Sequence, residues 1–209
     1  MSDFSDRTIR GFLEDLASSA PTPGGGTAAA VAGAMGASLA EMVTALTLAR
    51  EKYAASHEAM RPIAVAAAGA REELMRLARE DAEAYDEVVA ARRLPRGTEA
   101  EKSAREKRVS AAVRRAAEVP LRTARAAAGL LEFMPELAEK GNPNVASDSG
   151  AAALLLGSAV HAALLNVAIN LPGIPDSALA QKMRREAEAL QIDSERLRDR
   201  VLGIVRRNL

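Results

Sequence analysis

The chain has 209 residues and a mass of 22.0 kDa, of which 48% are apolar and 27% charged. Its 28 basic and 28 acidic side chains cancel, which argues against a protein that grips a phosphate backbone, so no nucleic-acid partner is expected. Without cysteine there is no disulfide framework, thiolate metal site or thiol nucleophile, and two histidines are too few for a His-rich metal site. The polar, acidic start Met1-Ser2-Asp3-Phe4-Ser5-Asp6 lacks the features of a signal peptide, so a cytoplasmic setting is expected. Alanine, the best helix former, occurs 47 times, while aromatic residues make up only 2%. The composition predicts a single all-α domain over 1–209, a helical bundle with long central helices.

Ile9, Phe12, Leu13 and Leu16 repeat with helical spacing, and Ser5 is a candidate N-cap, which predicts an amphipathic helix over 6–18. The segment from Ser18 to Gly26 holds two prolines and three consecutive glycines, so it reads as a non-helical loop with exposed N–H groups. Thr27 then caps an apolar helix over 28–49. A long helix follows over 56–92, bent near Pro62, until Leu94-Pro95-Arg96-Gly97 breaks it. Thr98 and Glu101 form a capping box for a fourth helix, which reaches Glu118 and is bent or split at Pro120 before continuing over 121–133. The stretch 141–146 reads as turn, Ser147 or Asp148 as a cap, and 151–171 as a second apolar helix. Asp176 caps a last helix carrying Leu179, Met183, Leu190, Leu197 and Val201.

Both apolar helices approach the roughly 20 residues that cross a bilayer. Glu41 interrupts one, and His161, Asn166 and Asn170 interrupt the other, so no membrane span is expected and both read as central helices of a bundle. The helix count is too small to cover them fully. A homodimer is therefore expected, with the small residues Gly33, Gly36, Ala37 and Ala40 letting the partner approach closely.

Three groups of residues carry possible chemistry. Gly24, Gly25 and Gly26 precede a helix, where free N–H groups and the helix dipole favour an anion, although the same glycines also suit close packing of a turn. Neither a dinucleotide nor a nucleoside triphosphate fingerprint accompanies them. Asp81 and Tyr85 lie one turn apart on one helix face; facing inward, the carboxylate would act as an acid or base, and facing outward it would belong to a solvated charge run. Asn166 and Asn170 form a matched amide pair that either bridges helices or reads the polar edge of a ligand.

The ordered blocks Pro21-Thr22-Pro23-Gly24-Gly25-Gly26-Thr27-Ala28-Ala29-Ala30, Asp81-Ala82-Glu83-Ala84-Tyr85, Leu94-Pro95-Arg96-Gly97-Thr98, Val119-Pro120-Leu121, Gly141-Asn142-Pro143-Asn144, Ser147-Asp148 and Asn166-Val167-Ala168-Ile169-Asn170-Leu171 resemble the formiminotransferase-cyclodeaminase C-terminal family over nearly the whole chain. The resemblance implies an all-helical folate enzyme that dimerises, with its site near the subunit contact and Asp81 as the acid/base residue. Two positions depart from the family pattern: Ser110 stands where glutamine is common, and the basic run before the aromatic residue is Arg50-Glu51-Lys52-Tyr53. The expected substrate-binding set is Gly24, Gly25, Gly26, Lys52, Tyr53, Tyr85, Arg96, Asp148, Asn166 and Asn170, with Lys52, Arg96 or both holding the glutamate tail of a folate. The preferred reaction is hydrolysis of 5,10-methenyltetrahydrofolate to 10-formyltetrahydrofolate. Release of ammonia from formiminotetrahydrofolate is the alternative, and a non-catalytic folate-binding scaffold the third reading. None of these needs a metal, or a cofactor beyond the tetrahydrofolate substrate.

Overall fold

The computed structural model describes residues 7–209, and these are helical throughout apart from turns and short 3-10 segments. The elements are α1 (Ile9–Leu16), α2 (Gly25–Leu48), α3 (His57–Arg92), α4 (Glu99–Leu131), α5 (Met134–Lys140), α6 (Ala146–Asn170) and α7 (Ser177–Asn208). A 3-10 turn, Glu51–Ser56, precedes α3. The helices α2, α3, α4 and α6 form a ring in which α2 packs on α3 and α6, and α4 packs on the same two from the opposite side. The α7 helix lies outside this ring, against α6, α5 and α4. The main core fills the ring, with Met60, Ile63, Leu131, Leu156 and Val160 fully buried among many alanines, and Leu77, Ala84 and Val119 make a smaller cluster between α3 and α4.

Small residues set the spacing of α2 and α6. A Cβ on Gly33 would lie 3.2 Å from that of Ala159, and one on Gly36 would lie 2.9 Å from Leu156 Cγ and 3.0 Å from the Ala152 carbonyl. Gly33, Gly36, Ala37 and Ala40 are therefore buried within a single chain, not presented to a partner as the sequence suggested. What α2 presents outward is a stripe with Met35, Met42 and Leu46 exposed, and α6 presents Leu154, Leu165 and Ile169. By length and composition both helices could cross a membrane, and half of each apolar window is buried inside the bundle.

Several boundaries differ from expectation. The α2 helix starts at Gly25, so Gly25 and Gly26 form its first turn and Gly24 is the N-cap, with no side chain to bond the free N–H groups; Thr27 lies inside the helix and caps nothing. The α4 helix runs unbroken through Pro120, which is buried in the bundle, so core packing there outweighs the one backbone bond that proline removes. The α3 helix continues through the exposed Pro62, in keeping with the single helix expected over 56–92. Residues 134–140 form α5, too short for a periodic pattern to reveal. The α6 helix starts at Ala146, placing Ser147 and Asp148 in its first turn, not at a cap.

Other caps agree with the sequence reading. Thr98 and Glu101 form a reciprocal capping box, and Asp176 Oδ1 accepts from the Leu179 N–H at 3.0 Å. The α1 helix is shorter than expected and capped by Thr8, whose Oγ1 accepts from the Gly11 N–H; Ser5 lies outside the described residues.

Candidate active site

The residues singled out from the sequence separate into two groups at opposite ends of α2. The first gathers where α2 begins. Gly25 abuts Asn166 of α6, since a Cβ there would lie 3.6 Å from Asn166 Nδ2. Gly26 abuts Asp81 of α3 far more closely, with an added Cβ falling 2.2 Å from Oδ1 and 2.6 Å from Cγ. Only glycine leaves room for this carboxylate. Thr27 Oγ1 donates to Asp81 Oδ2 at 3.0 Å, and its backbone N–H is directed at the same group. Glycine at the first two helical positions, which the sequence alone presents as a loop, thus brings the free N–H groups of a helix start against a side chain from another helix.

Asp81 is half-buried, and loss of water around it raises its carboxyl pKa above the ordinary value, with the Thr27 hydroxyl and N–H pulling the other way. Desolvation wins. The group therefore takes up a proton more readily than a surface aspartate does, as an acid/base residue working near neutral pH must.

Asn170 lies one turn beyond Asn166. Its Nδ2 donates to the Ala116 carbonyl of α4 at 3.0 Å and to the Asn166 carbonyl at 2.8 Å, while Asn166 Nδ2 donates to the Ala162 carbonyl at 2.9 Å. Asn170 therefore bridges helices, and the amide group of Asn166 faces the start of α2. Tyr85, one turn after Asp81, is 44% exposed and stands at the rim.

Arg96 belongs to this end too. It lines a cleft of about 400 Å³ with Lys102, Arg105, Ser110 and Gly173. Gly173 is seven residues past Asn166, roughly 10 Å along α6 and its extension. Ser110, the position that departs from the family's glutamine, opens onto this cleft. Lys102 and Arg105 were not singled out from the sequence; their place in this cleft follows from the antiparallel return of α4 beside α3, which no local pattern reveals.

The second group sits at the far end. Tyr53 Oη donates to Asn142 Oδ1 at 2.8 Å, the Asn142 N–H donates to Thr47 Oγ1 at 2.9 Å, and the Lys52 ammonium lies 4.7 Å from the centroid of the Tyr53 ring. Asp148 is half-buried in the first turn of α6, next to this cluster in sequence. Because α2 has 24 residues, it spans about 36 Å, and Lys52 and Tyr53, beyond its end, are about that far from Asp81 of the same chain; Asp148, 18 residues before Asn166 on α6, is about 27 Å away. Within one chain the expected site is therefore divided.

Comparison with known proteins gives a consistent result. The family model described as formiminotransferase-cyclodeaminase matches residues 8–189. The chain is 39% identical to a methenyltetrahydrofolate cyclohydrolase of Methylorubrum extorquens, over 96% of this chain and 97% of that one. It is 32% identical to the rat formimidoyltransferase-cyclodeaminase over 95% of its own length but only 37% of the rat protein. A crystal structure of a formiminotetrahydrofolate cyclodeaminase from Thermotoga maritima superposes with a TM-score of 0.86 at 33% identity, covering 97% of each chain. The chain belongs to the formiminotransferase-cyclodeaminase family.

Proposed function

We propose that this protein is a folate one-carbon enzyme that hydrolyses 5,10-methenyltetrahydrofolate to 10-formyltetrahydrofolate, with Asp81 moving the proton. The observation that carries the reading is the Asp81 carboxylate, partly stripped of water and held against the start of α2 by Gly26 and Thr27. The bridging carbon of the substrate is an amidinium electrophile. Asp81 as carboxylate takes a proton from the attacking water as the carbon–oxygen bond forms, then returns it to the ring nitrogen as the carbon–nitrogen bond breaks, while the new hydroxyl gives its remaining proton to solvent as the formyl carbonyl forms. Similarity to the Methylorubrum cyclohydrolase along its whole length supports this choice of reaction.

The cyclodeaminase reading draws on the rat and Thermotoga relatives. There nitrogen 10 of the folate attacks the formimino carbon and ammonia leaves, with the same carboxylate carrying the proton. The cleft beside Arg96, Lys102 and Arg105 suits the tail carboxylates of either substrate, because exposed guanidinium and ammonium groups gather there at the Asp81 end. We also propose that the outward faces of α2 and α6 are covered by a second copy of the chain.

The test is a pair of assays on purified protein: loss of methenyltetrahydrofolate absorbance, and ammonia release from formiminotetrahydrofolate. Hydrolysis should predominate, and Asp81→Asn should lower it by about 10²–10⁴ with the fold intact. Predominant ammonia release would transfer the assignment to cyclodeamination, and an Asp81→Asn rate within threefold of wild type would remove Asp81 from the mechanism.

A further inference from the structure

The geometry points to Arg105 as a positioning residue for substrate binding, one that holds the turn between α3 and α4 so that Arg96 stands free to meet a carboxylate of the substrate's tail. This rests on the functional reading above and separates the parts played by the three cations of the cleft.

The three differ in what they already hold. Lys102 Nζ lies 2.7 Å from Glu99 Oε1, so its charge is matched within its own helix. Arg105 is half-buried, and its Nε and Nη2 both donate to the Arg92 carbonyl, at 3.2 and 3.1 Å. That carbonyl closes α3 and has no N–H of its own helix to accept from. A guanidinium suits it on two counts, since its fork delivers two N–H groups and its charge faces the negative end of the helix dipole. Arg96 is exposed and, among the described residues, has neither an ion pair nor a side-chain hydrogen bond. Of the three, it is the cation left to bind an anion.

The surrounding bonds leave Arg96 little freedom. Residues 93–98 join the two helices, and the Arg93 and Leu94 N–H groups donate back to the Val89, Ala90 and Ala91 carbonyls, which keeps the start of the turn in step with α3. At the other side Glu101 Oε2 accepts from the Gly97 N–H at 2.8 Å and the Thr98 N–H at 2.9 Å. Only Pro95 and Arg96 lie between these anchors, and the ring of Pro95 fixes one of its own backbone angles. The anchors belong to different helices, however, and Arg105 joins them by reaching from α4 to the end of α3. Because Arg105 is six residues after Glu99, roughly 9 Å along α4, it braces the turn from a second point instead of duplicating the capping box. Without it the last turn of α3, where helices fray first, can move away from α4 and carry Arg96 along.

Distance supports the choice of a tail carboxylate. Arg92 is 11 residues after Asp81, roughly 16 Å along α3, a gap that the benzoylglutamate arm of a folate and an arginine side chain together can bridge.

Steady-state hydrolysis tests the role on two substrates, 5,10-methenyltetrahydrofolate and the corresponding methenyltetrahydropteroate, whose arm ends before the glutamate. Loss of one charge-assisted contact should raise KM for the folate about tenfold, so Arg96→Gln and Arg105→Met should each do this and leave kcat within about twofold. Because Arg105 acts through Arg96, the double variant should be no worse than Arg96→Gln alone, and neither substitution should change KM for the pteroate. Lys107→Met removes an exposed charge two residues further along α4 and should leave both substrates' constants unchanged. Effects that multiply in the double variant would mean that Arg105 meets the tail itself, and would overturn the inference. So would an Arg105→Met KM equal to that of wild type, or a loss of kcat that extends to the pteroate.

Limited trypsin digestion examines the bracing without any folate. The Arg96–Gly97 bond lies in the braced turn, and Arg105→Met should speed its cleavage about tenfold over wild type and over Lys107→Met, the bond being identified by mass and the fold checked by circular dichroism. Were Arg105→Met not to fold, Arg105→Lys, which keeps the charge and one donor, should give a smaller change in the same direction. Equal cleavage rates would overturn the inference, whereas faster cleavage in a protein that turns over neither folate would uphold the bracing and refute only the folate reading.

Discussion

Replacing Gly26 by alanine adds one methyl group at the most crowded point of the site. The new Cβ would lie 2.2 Å from Asp81 Oδ1 and 2.7 Å from Oδ2, so the carboxylate must withdraw by about 1 Å or more to restore ordinary contact. Such a move stretches or breaks the 3.0 Å bond from the Thr27 hydroxyl. A misplacement of about 1 Å can cost roughly 10²-fold in rate, which sets the expected loss in turnover. Stability should change less. Overpacking costs about 1–3 kcal/mol, and alanine recovers about 1 kcal/mol over glycine in a helix, leaving a loss near 0–2 kcal/mol that the fold should survive. Gly69→Ala and Gly129→Ala serve as controls: neither added Cβ meets anything within 4 Å, so both should raise stability by about 0.5–1 kcal/mol and leave turnover unchanged. The assay is folate turnover with thermal unfolding measured on the same preparations. A folded Gly26→Ala protein with turnover within threefold of wild type would show that the close contact at Asp81 is irrelevant to catalysis.

Thr27→Val removes a hydroxyl that donates to the ionised Asp81, so the carboxyl pKa rises further and the acid limb of the rate profile should move to higher pH; an unmoved limb refutes the coupling. The raised pKa of Asp81 also has a sign for stability. Its contribution is fully present below the unfolded pKa of about 3.9 and is lost as pH climbs through the higher folded value, so Asp81→Asn should gain on wild type across that window in denaturant titrations at stepped pH. Gly36→Leu forces a side chain into Leu156 and the Ala152 carbonyl, so it should destabilise the chain itself by at least the 1–3 kcal/mol typical of overpacking, detectable as a lower urea midpoint even at concentrations where any dimer has dissociated.

How much of this was legible in the sequence depended on whether the deciding interaction was local. The capping box at Thr98 and Glu101 and the cap at Asp176 act within one turn and read directly. Gly25 and Gly26 did not read as helix because what makes a helix start at glycine useful there is a carboxylate 55 residues further along the chain, at Asp81. Pro120 read as a bend or a split because the buried contacts that carry α4 straight through it come from other helices. Gly33 and Gly36 were recognised as close-approach residues, but the spacing could not say whether α6 or a second chain made the approach. The sequence reading put forward Lys52, Tyr53 and Asp148 as site residues without saying which end of the molecule they occupy. That is a property of the length and direction of α2, and it appears only when the helices are placed together.

The contact between Asp81 and the start of α2 also gives the helix something its own sequence withholds. An aspartate at an N-cap ordinarily accepts from the N–H two or three residues on; Gly24 holds that position and has no side chain to offer. Asp81 reaches in from α3 and takes the Thr27 N–H and hydroxyl instead, acting as a borrowed cap. The residue proposed to shuttle the proton is then also a fastening for the helix. On that proposal each protonation during turnover momentarily slackens the fastening, and each release restores it. Selection on this position therefore acts on chemistry and architecture together: asparagine would end the first and keep the second, whereas alanine would forfeit both, adding the ~1 kcal/mol of a lost cap.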